Sequence, residues 1–403
     1  MREDNLKWIV CQIGARQSYT IARMADRADR LEEMITDVWI PHGSRMGSLF
    51  PRLVQRNHSE LEACQVRAPT ARAIFNEAVY KLRGLHGMDR NITRNSWFQD
   101  FAAKRLRKLA AHGDGQRRIV FSYSYASKEI FRVAKQLGWV TVLGQMNAGP
   151  REDKIIGDLY RSSSAQKDSF TPYPESYWDE WREEVALADA ILVNSDWSKQ
   201  CLIDDGVNPN DIHILPHAYE PPTDARFLKR SAPYAYTPER PLHALFLGQV
   251  CLRKGAVPLL DAVRLLKDRP IKFFFVGPVS VNIPDDLANA PNIEWVGSVP
   301  RDRVHQFYKN SDIFLFPTFS DGFGRTQLEA LGWGVPVIAS RHCAQLVDHG
   351  TNGFVLPDIT ATTIGAALNE CVSNPKMMEE MKAAAANTYI STIDALFLSL
   401  IHI

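Results

Sequence analysis

SDIFLFPTFSDGFGRTQLEALGWGVPVIAS, residues 311–340, decides the fold class. It begins with an apolar run at 313–316, passes through a loop rich in turn formers, and continues with helix-forming residues at 326–331 and a second apolar run at 335–339. This order of strand, tight loop, helix and strand is typical of a parallel α/β sheet. The loop after such a strand and the first turn of the helix border a ligand crevice, where free N–H groups and the helix dipole favour a phosphate.

Two carboxylates, Asp321 and Glu329, bracket this loop. A carboxylate accepts hydrogen bonds from two hydroxyls at once, so each acid could hold a vicinal diol on a ribose or a hexose. Taken alone, the pair is more typical of a surface loop capped by Asp321 and a solvated helix face carrying Glu329. The surrounding block changes that balance.

The block D-G-F-G-R-T-Q-L-E-A at 321–330, followed by GVPVIAS at 334–340, resembles the signature of retaining GT-B glycosyltransferases of family 4. The family signature reads E-G-F-G-x-x-x-x-E-A and precedes a G-x-P-V-I-A strand. Asp321 stands where the family has Glu and is one methylene shorter. We expect this departure to shift the contact with the donor sugar or to mark a subgroup preference.

The resemblance implies an α/β fold of GT-B architecture, with two Rossmann-like, doubly wound domains that face an interdomain cleft. The first domain, on the acceptor side, would span residues 1–218. A linker rich in Pro and polar residues follows at 219–241, and the nucleotide-sugar donor domain would span 242–388. Residues 389–403 form an apolar tail that is atypical of the family.

The implied reaction is transfer of a hexosyl unit from a nucleotide-diphosphate sugar to a hydroxyl acceptor, such as a glycan or glycolipid, with retention of anomeric configuration. The resemblance implies no cofactor beyond this co-substrate and no metal. One alternative is a catalytically impaired GT-B protein that binds nucleotide sugar without efficient turnover. A GT-B epimerase or phosphorylase fits the two-acid block less well, and the missing G-x-G-x-x-G after the first strand disfavours a nucleotide-linked oxidoreductase.

The family's donor-site roles carry over to matching positions of this sequence. Lys254 would stabilise the pyrophosphate, Asp321 would hold a donor-sugar hydroxyl, and Glu329 would hold the ribose hydroxyls. The family pattern G-R-x-x-x-x-K-G reads G-Q-V-C-L-R-K-G here, so Gln249 replaces an arginine and Arg253 is a weak substitute. Backbone groups at 322–324 would contact the sugar and phosphate, and backbone groups at 296–297 would contact the base. The other donor-side predictions are Gly14, Gly248, Gln249, Arg253, Val296, Gly297, Gly322, Phe323 and Gly324.

Two residues are predicted on the acceptor side. Gln145 lies where many relatives have a histidine that contacts a sugar, and an amide can bind but cannot act as an acid or base. His217 lies near the predicted hinge, where a lone histidine is more often structural.

Composition limits the function classes. The 403 residues exceed one ordinary core, and a net charge of +1 gives no global argument for nucleic-acid binding. The six cysteines are far apart, which predicts reduced thiols in a cytoplasmic protein and neither a disulfide framework nor a zinc site. The N-terminal residues lack the pattern of a signal peptide, and no run of 18 apolar residues occurs.

Four segments carry local expectations. Apolar spacing predicts a helix over 19–34, and the polar, Ser-rich composition of 151–170 predicts a mobile loop or lid. Residues 101–110 form a basic amphipathic frame, compatible either with peripheral contact to an anionic membrane or with a solvated helix face. The tail at 389–403 is compatible with packing on a core, association with another chain or a membrane, or an altered end.

Overall fold

The computed structural model describes residues 6–111, 115–222, 225, 231–388 and 390–400. Its strands form two parallel sheets. The strands are β1 (Lys7–Gln12), β2 (Leu31–Thr36), β3 (Val66–Arg67), β4 (Arg118–Tyr123), β5 (Val140–Gly144), β6 (Ala190–Val193), β7 (Ile212–Ile214), β8 (Leu242–Leu247), β9 (Ile271–Val276), β10 (Ile293–Gly297), β11 (Ile313–Phe316), β12 (Val337–Ala339) and β13 (Gly353–Val355).

Helices cover both faces of each sheet. The α-helices are α1 (Thr20–Arg27), α2 (Arg45–Leu49), α3 (Pro51–Val54), α4 (Thr70–Leu82), α5 (Gly87–Ala111), α6 (Lys128–Gln136), α7 (Pro150–Ser162), α8 (Glu175–Leu187), α9 (Asp196–Asp204), α10 (Ala256–Leu265), α11 (Asp285–Ala288), α12 (Val304–Lys309), α13 (Arg325–Gly332), α14 (Ala361–Ser373), α15 (Pro375–Ala386) and α16 (Ile393–Leu400). Short 3-10 helices lie at Arg16–Tyr19, Ser59–Leu61, Pro209–Asp211, Leu252–Lys254 and Arg301–Arg303.

The strand order of each sheet creates a crevice. The first sheet runs β3-β2-β1-β4-β5-β6-β7 and the second runs β10-β9-β8-β11-β12-β13. Each order reverses beside its first strand, between β1 and β4 and between β8 and β11. In doubly wound sheets, ligands bind outside the carboxyl ends of the strands at such a reversal. The loops after β1, β4, β8 and β11 are therefore the places to look for a site.

Alternation along the central strands builds a core on each face of each sheet. In β1, Ile9 and Cys11 pack with α5 and α6, while Trp8 and Val10 pack with α1 on the other face. Successive side chains of a strand point to opposite faces, so an unbroken apolar strand supplies both cores. The predicted α/β class with two doubly wound sheets is confirmed by this arrangement.

The C-terminal helix α16 packs on the first domain. Ile393 and Leu396 are buried in the same core as Trp8 and Val10, and the Asp394 carboxylate pairs with Arg27 at 2.9 Å. Among the options for the apolar tail, the structure therefore shows packing on a core. Residues 389 and 401–403 of that segment, and 223–224 and 226–230 of the predicted linker, lie outside the described residues.

Two local predictions were wrong. The segment predicted as one helix over 19–34 is the short helix α1 followed by β2, because Asp29 adopts a left-handed φ of 55° that ends the helix. The predicted lid at 151–170 begins with helix α7 instead, and its C-terminal part docks on the second domain. There Lys167 N donates to Ser280 O at 3.3 Å, and Asn282 N donates to Ala165 O at 2.6 Å.

The basic segment 101–110 belongs to α5. Its apolar residues Ala102, Ala103 and Leu106 are buried in the first domain's core, and Arg105 pairs with the buried Glu33 at 2.6 Å. The apolar face that a membrane-bound amphipathic helix needs is thus covered by protein. No helix in the described part of the chain is long and apolar enough to span a bilayer.

Candidate active site

The loop after β11 is organised by Asp321. Its Oδ1 accepts hydrogen bonds from the backbone N–H groups of Phe323 at 3.1 Å and Gly324 at 2.8 Å, ahead of α13. Gly324 has a φ of 82°, and a Cβ there would lie 2.5 Å from the Phe316 ring. The expectation that both N–H groups are free to face the donor is therefore corrected, because Asp321 accepts hydrogen bonds from both of them within the loop.

Lys254, Arg253 and Asp321 form a charged cluster at the carboxyl ends of β8 and β11. The Lys254 ammonium pairs with Asp321 Oδ2, and an Arg253 guanidinium nitrogen lies 3.6 Å from the same oxygen. Burial opposes ionisation of Asp321, but the two cations together hold its pKa below the ordinary value. The two predicted catalytic residues thus meet directly, and two cations stand where a phosphate could bind.

Backbone contacts fix this cluster. Arg253 O accepts hydrogen bonds from Phe319 N at 2.8 Å and Thr318 Oγ1 at 3.1 Å, which ties the β8 loop to the β11 loop. Gly255, with a φ of 73°, approaches so closely that a Cβ would lie 2.0 Å from Pro317 O. The position of Lys254 therefore depends on a glycine at 255.

Glu329 lies one turn into α13 and is half-buried. Its Oε2 accepts a hydrogen bond from the Tyr308 hydroxyl at 3.0 Å. Burial, together with the neighbouring Glu329 charge, raises the pKa of Tyr308 far above its ordinary value, so the phenol remains a donor that orients the carboxylate. Sequence patterns gave no signal for Tyr308, because its contact joins α12 to α13.

The other donor-side predictions lie at the same edge of the second sheet. Gly248 follows β8, while Val296 and Gly297 end β10. Gln249 is exposed, and its Nε2 donates to Ser280 Oγ at 2.7 Å. Arg253, which sequence spacing made a weak substitute for the missing arginine, is the residue that reaches the Asp321 cluster.

Side chains of the first domain contact the β11 loop across the cleft. The Ser195 and Ser198 hydroxyls both donate to Gly322 O, the latter at 3.1 Å. A Cβ on Gly322 would lie 2.9 Å from Met146 O, so the two domains meet at backbone distance. These contacts place the loop after β5 directly against the predicted donor loop.

Glu152 is a further carboxylate in the cleft, and no sequence motif assigned it a role. It lies in the first turn of α7, and its Oε2 accepts a hydrogen bond from Ser320 Oγ at 2.9 Å. Burial raises the pKa of Glu152, although the nearby Arg253 opposes the shift. Apolar residues at 155, 156 and 159 carried the helical signal that would have placed Glu152 on an ordered element.

Gln145 is hydrogen-bonded within the first domain. Its side chain is buried, its Nε2 donates to the Tyr125 hydroxyl at 3.2 Å, and its Oε1 accepts from Trp181 Nε1 at 3.0 Å. Both ends of the amide are therefore bonded to protein groups around the loop after β5, and a contact with a sugar stays a prediction.

His217 and Gly14 make different contacts at the cleft. The His217 ring stacks on Phe323 with centroids 4.4 Å apart, and its Nε2 lies 2.8 Å from Gln17 Nε2. Burial, with Arg325 adding to the effect, lowers the pKa of His217 to about 3, so the ring is neutral. Gly14 has a φ of 74° and donates its N–H to Asp37 at 2.8 Å. This bond fixes the backbone just before the turn at residues 16–19.

Among the described residues, no group of three or more His, Cys, Asp or Glu side chains is arranged to hold a metal ion. The charged groups at the β8 and β11 loops instead offer cations to an anionic ligand.

Comparison with known proteins agrees with this geometry. A family model described as "Glycosyl transferases group 1" matches residues 235–388. A D-inositol 3-phosphate glycosyltransferase of Thermobifida fusca (strain YX) is 25% identical over 321 residues, covering 72% of this chain and 71% of that protein. An uncharacterized 41.2 kDa protein in the cps region of Klebsiella pneumoniae is 23% identical over 203 residues, covering 46% of this chain and 56% of that protein.

Solved structures match nearly the whole chain. Anabaena Alr3699/HepE in complex with UDP has a TM-score of 0.59 at 13% identity, covering 98% of this chain and 99% of that chain. TarM has a TM-score of 0.64 at 10% identity, with the same coverage of both chains. The predicted GT-B architecture is confirmed, and the match to the group 1 glycosyltransferase model lies in the second half of the chain, over residues 235–388.

Proposed function

We propose that the protein transfers a hexosyl unit from a nucleotide-diphosphate sugar to a hydroxyl acceptor, with retention of anomeric configuration. The observation that carries the proposal is the convergence of Lys254, Arg253 and Asp321 at the carboxyl ends of β8 and β11, with Glu329 one helical turn away. UDP is the first nucleotide to test, since Anabaena Alr3699/HepE binds it on the same fold.

In this proposal the two cations neutralise the diphosphate of the donor. Lys254 and Arg253 pair with Asp321 in the ligand-free structure, and an arriving phosphate would replace that carboxylate as their partner. Fixed cations stabilise charge that develops on a leaving phosphate. This arrangement needs no metal ion, and Arg253 supplies the charge that Gln249 lacks.

The remaining donor contacts follow from the same geometry. Glu329, oriented by Tyr308, would accept hydrogen bonds from two ribose hydroxyls. Asp321 would hold a hydroxyl of the donor sugar once Lys254 turns to the phosphate. Backbone groups of Val296 and Gly297 would contact the base.

Retention would follow from attack on the face that the leaving group departs from. The acceptor oxygen forms a bond to the anomeric carbon, the bond from that carbon to the phosphate oxygen breaks, and the acceptor proton passes to the departing phosphate. The enzyme's task is then positioning and charge stabilisation. A cytoplasmic location, and peripheral membrane contact through 101–110, stay predictions.

A transfer assay tests the proposal. Purified protein is incubated with UDP-hexoses and a panel of glycan acceptors, released UDP is measured, and the anomeric configuration of the product is read by NMR. We expect an α-linked product from an α-linked donor, and a loss of roughly 10²- to 10³-fold in kcat/KM for Lys254→Ala. Lys267→Ala, which removes an exposed lysine after α10, is the control.

Two results would count against the proposal. An inverted product would refute retention. Nucleotide binding without UDP release from any nucleotide sugar would favour a GT-B protein that binds donors without turnover.

A further inference from the structure

A cavity lies in the first domain, next to the loop after β11. Its volume is about 170 Å³, and its lining includes Arg16, Arg94, Asn147, Tyr177 and Trp178 but no carboxylate. Asn147 Cα would lie 3.3 Å from a Cβ on Gly322, so the cavity adjoins the loop predicted to hold the donor sugar. A group bound there would face the donor from the other domain.

The two arginines of this cavity have no acidic partner among the described residues. Arg94 donates only to the amide oxygen of Asn91, at 3.3 Å, and its Nε is buried without a hydrogen-bond partner. The Arg16 guanidinium makes no hydrogen bond or ion pair within the described part of the chain. Arg56 of the same domain, by contrast, pairs with Asp37 at 2.7 Å.

The surroundings of Arg16 disfavour the positive charge of its guanidinium. Surrounding protein removes water from the guanidinium and lowers its pKa, and the positive charge of Arg94 adds to the lowering. Arg16 is nevertheless exposed to solvent inside the cavity, so an arriving ligand can reach it. An anion placed between the two arginines would remove their repulsion and supply the hydrogen-bond acceptors that they lack.

The turn that follows Arg16 has a strained backbone. The three residues after it, Gln17, Ser18 and Tyr19, all have positive φ, of 49°, 51° and 59°. Non-glycine residues in this region cost free energy and persist where the surrounding structure enforces them, often at functional sites. Here Gln17 contacts His217 and Tyr19 is buried in the core of the first domain, so the turn is anchored at both residues.

Flat aromatic rings form the opposite wall. Tyr173 and Tyr177 stack with centroids 4.4 Å apart, Tyr125 stacks on Tyr177 at 5.1 Å, and Trp178 meets Tyr177 edge-on at 5.2 Å. Sites that combine an aromatic wall with a few placed polar groups suit small polar ligands with an apolar face. A pyranose or cyclitol ring has such a face.

We propose that this cavity is the acceptor subsite and that the acceptor is an anionic saccharide, whose phosphate or carboxylate lies between Arg16 and Arg94 while its ring lies against the aromatic wall. This inference rests on the proposed transferase function, since it assigns the second substrate of that reaction.

Calorimetric titration of the full chain tests the inference. The probes are glucose 6-phosphate, glucuronate, glucose and inorganic phosphate, with and without saturating UDP. We expect both charged sugars to bind more tightly than glucose and more weakly as salt is raised. Stronger binding of glucose 6-phosphate identifies phosphate as the preferred anion, and stronger binding of glucuronate identifies carboxylate.

Matched arginine variants locate the binding. Arg16→Gln and Arg94→Gln should each weaken binding of the charged sugars by about 10- to 150-fold, the range for a lost charge-assisted hydrogen bond. Arg90→Gln, one turn earlier on α5 and paired with Glu77, should leave it unchanged. Arg94→Lys should restore part of the affinity. Arg16 is exposed, so Arg16→Gln carries the test if Arg94→Gln fails to fold.

The outcomes separate this inference from the proposed function. Equal binding of glucose and the charged sugars, or equal loss in the Arg90 control, would overturn the anionic subsite even if UDP binds. Charged-sugar binding that depends on both arginines, in a protein that binds no nucleotide, would uphold the anion site and remove its assignment as an acceptor.

Discussion

Replacing His217 with asparagine should make the protein less sensitive to acid. In the folded protein the pKa of His217 is lowered from 6.5 to about 3, whereas the unfolded chain takes up a proton near 6.5. Because the unfolded state binds the proton more tightly, stability is full above pH 6.5 and is lost as the pH falls towards 3. At pH 5 the expected loss is about 2 kcal/mol relative to pH 7.5, at 1.36 kcal/mol per pKa unit.

Urea unfolding at pH 7.5 and pH 5.0 measures this loss. The wild-type protein should lose about 2 kcal/mol more free energy of unfolding between the two pH values than His217→Asn does. His86→Asn, at an exposed site, controls for the loss of any histidine and should follow the wild type. An equal loss in His217→Asn and wild type would refute the reasoning that His217 is held neutral between the domains.

Two further substitutions test the cleft and the first domain. Gly322→Ala places a Cβ 2.9 Å from Met146 O, so domain closure should weaken by about 1–3 kcal/mol and kcat/KM should fall 5- to 150-fold. Gly365→Ala, which meets only Leu265 at 3.9 Å, should leave kinetics unchanged, and an equal fall in both variants would contradict the closure argument. Glu184→Gln cannot accept all three backbone N–H groups that the buried carboxylate accepts, so urea unfolding should show a loss of about 1–3 kcal/mol. Unchanged stability would show that these three hydrogen bonds make no net contribution to the free energy of unfolding.

Local sequence determined the elements that the predictions placed correctly. The β11 strand, its loop and α13 each follow from adjacent residues: an apolar run, turn formers and helix formers within 313–332. The segment 19–34 failed because residues such as Met34 fit a helical spacing and a buried strand equally well. Its break depends on the backbone conformation of Asp29, which spacing does not encode.

The site was predictable where one segment carries it and unpredictable where segments meet. Lys254, Asp321 and Glu329 could be proposed from the sequence because a short motif contains each of them, and the structure places Lys254 beside Asp321. The contacts of Glu152 and Arg94 join distant parts of the chain. Glu152 accepts a hydrogen bond from Ser320, and Arg94 lies near Arg16. Such pairings follow only from the packing of the two domains.

Asp321 shows a further reason why motif-based roles need a structure. The sequence predicts its carboxylate in the loop between strand and helix, and the structure places it there, between β11 and α13. The same carboxylate also accepts hydrogen bonds from Phe323 N and Gly324 N and pairs with Lys254, so it occupies groups expected to meet the donor. A motif states which residues are present but not which of them bind one another before the ligand arrives.

Binding of UDP, GDP and ADP to the wild-type protein and to Glu329→Ala, measured by calorimetry, tests the donor site most directly. The account predicts that one nucleotide binds, and that Glu329→Ala weakens its binding by about 2–4 kcal/mol, because two ribose hydroxyl bonds are lost. Glu370→Ala, on the exposed face of α14, should bind as the wild type does. Absence of binding by all three nucleotides, or unchanged affinity in Glu329→Ala, would contradict the claim that this loop and helix hold the donor.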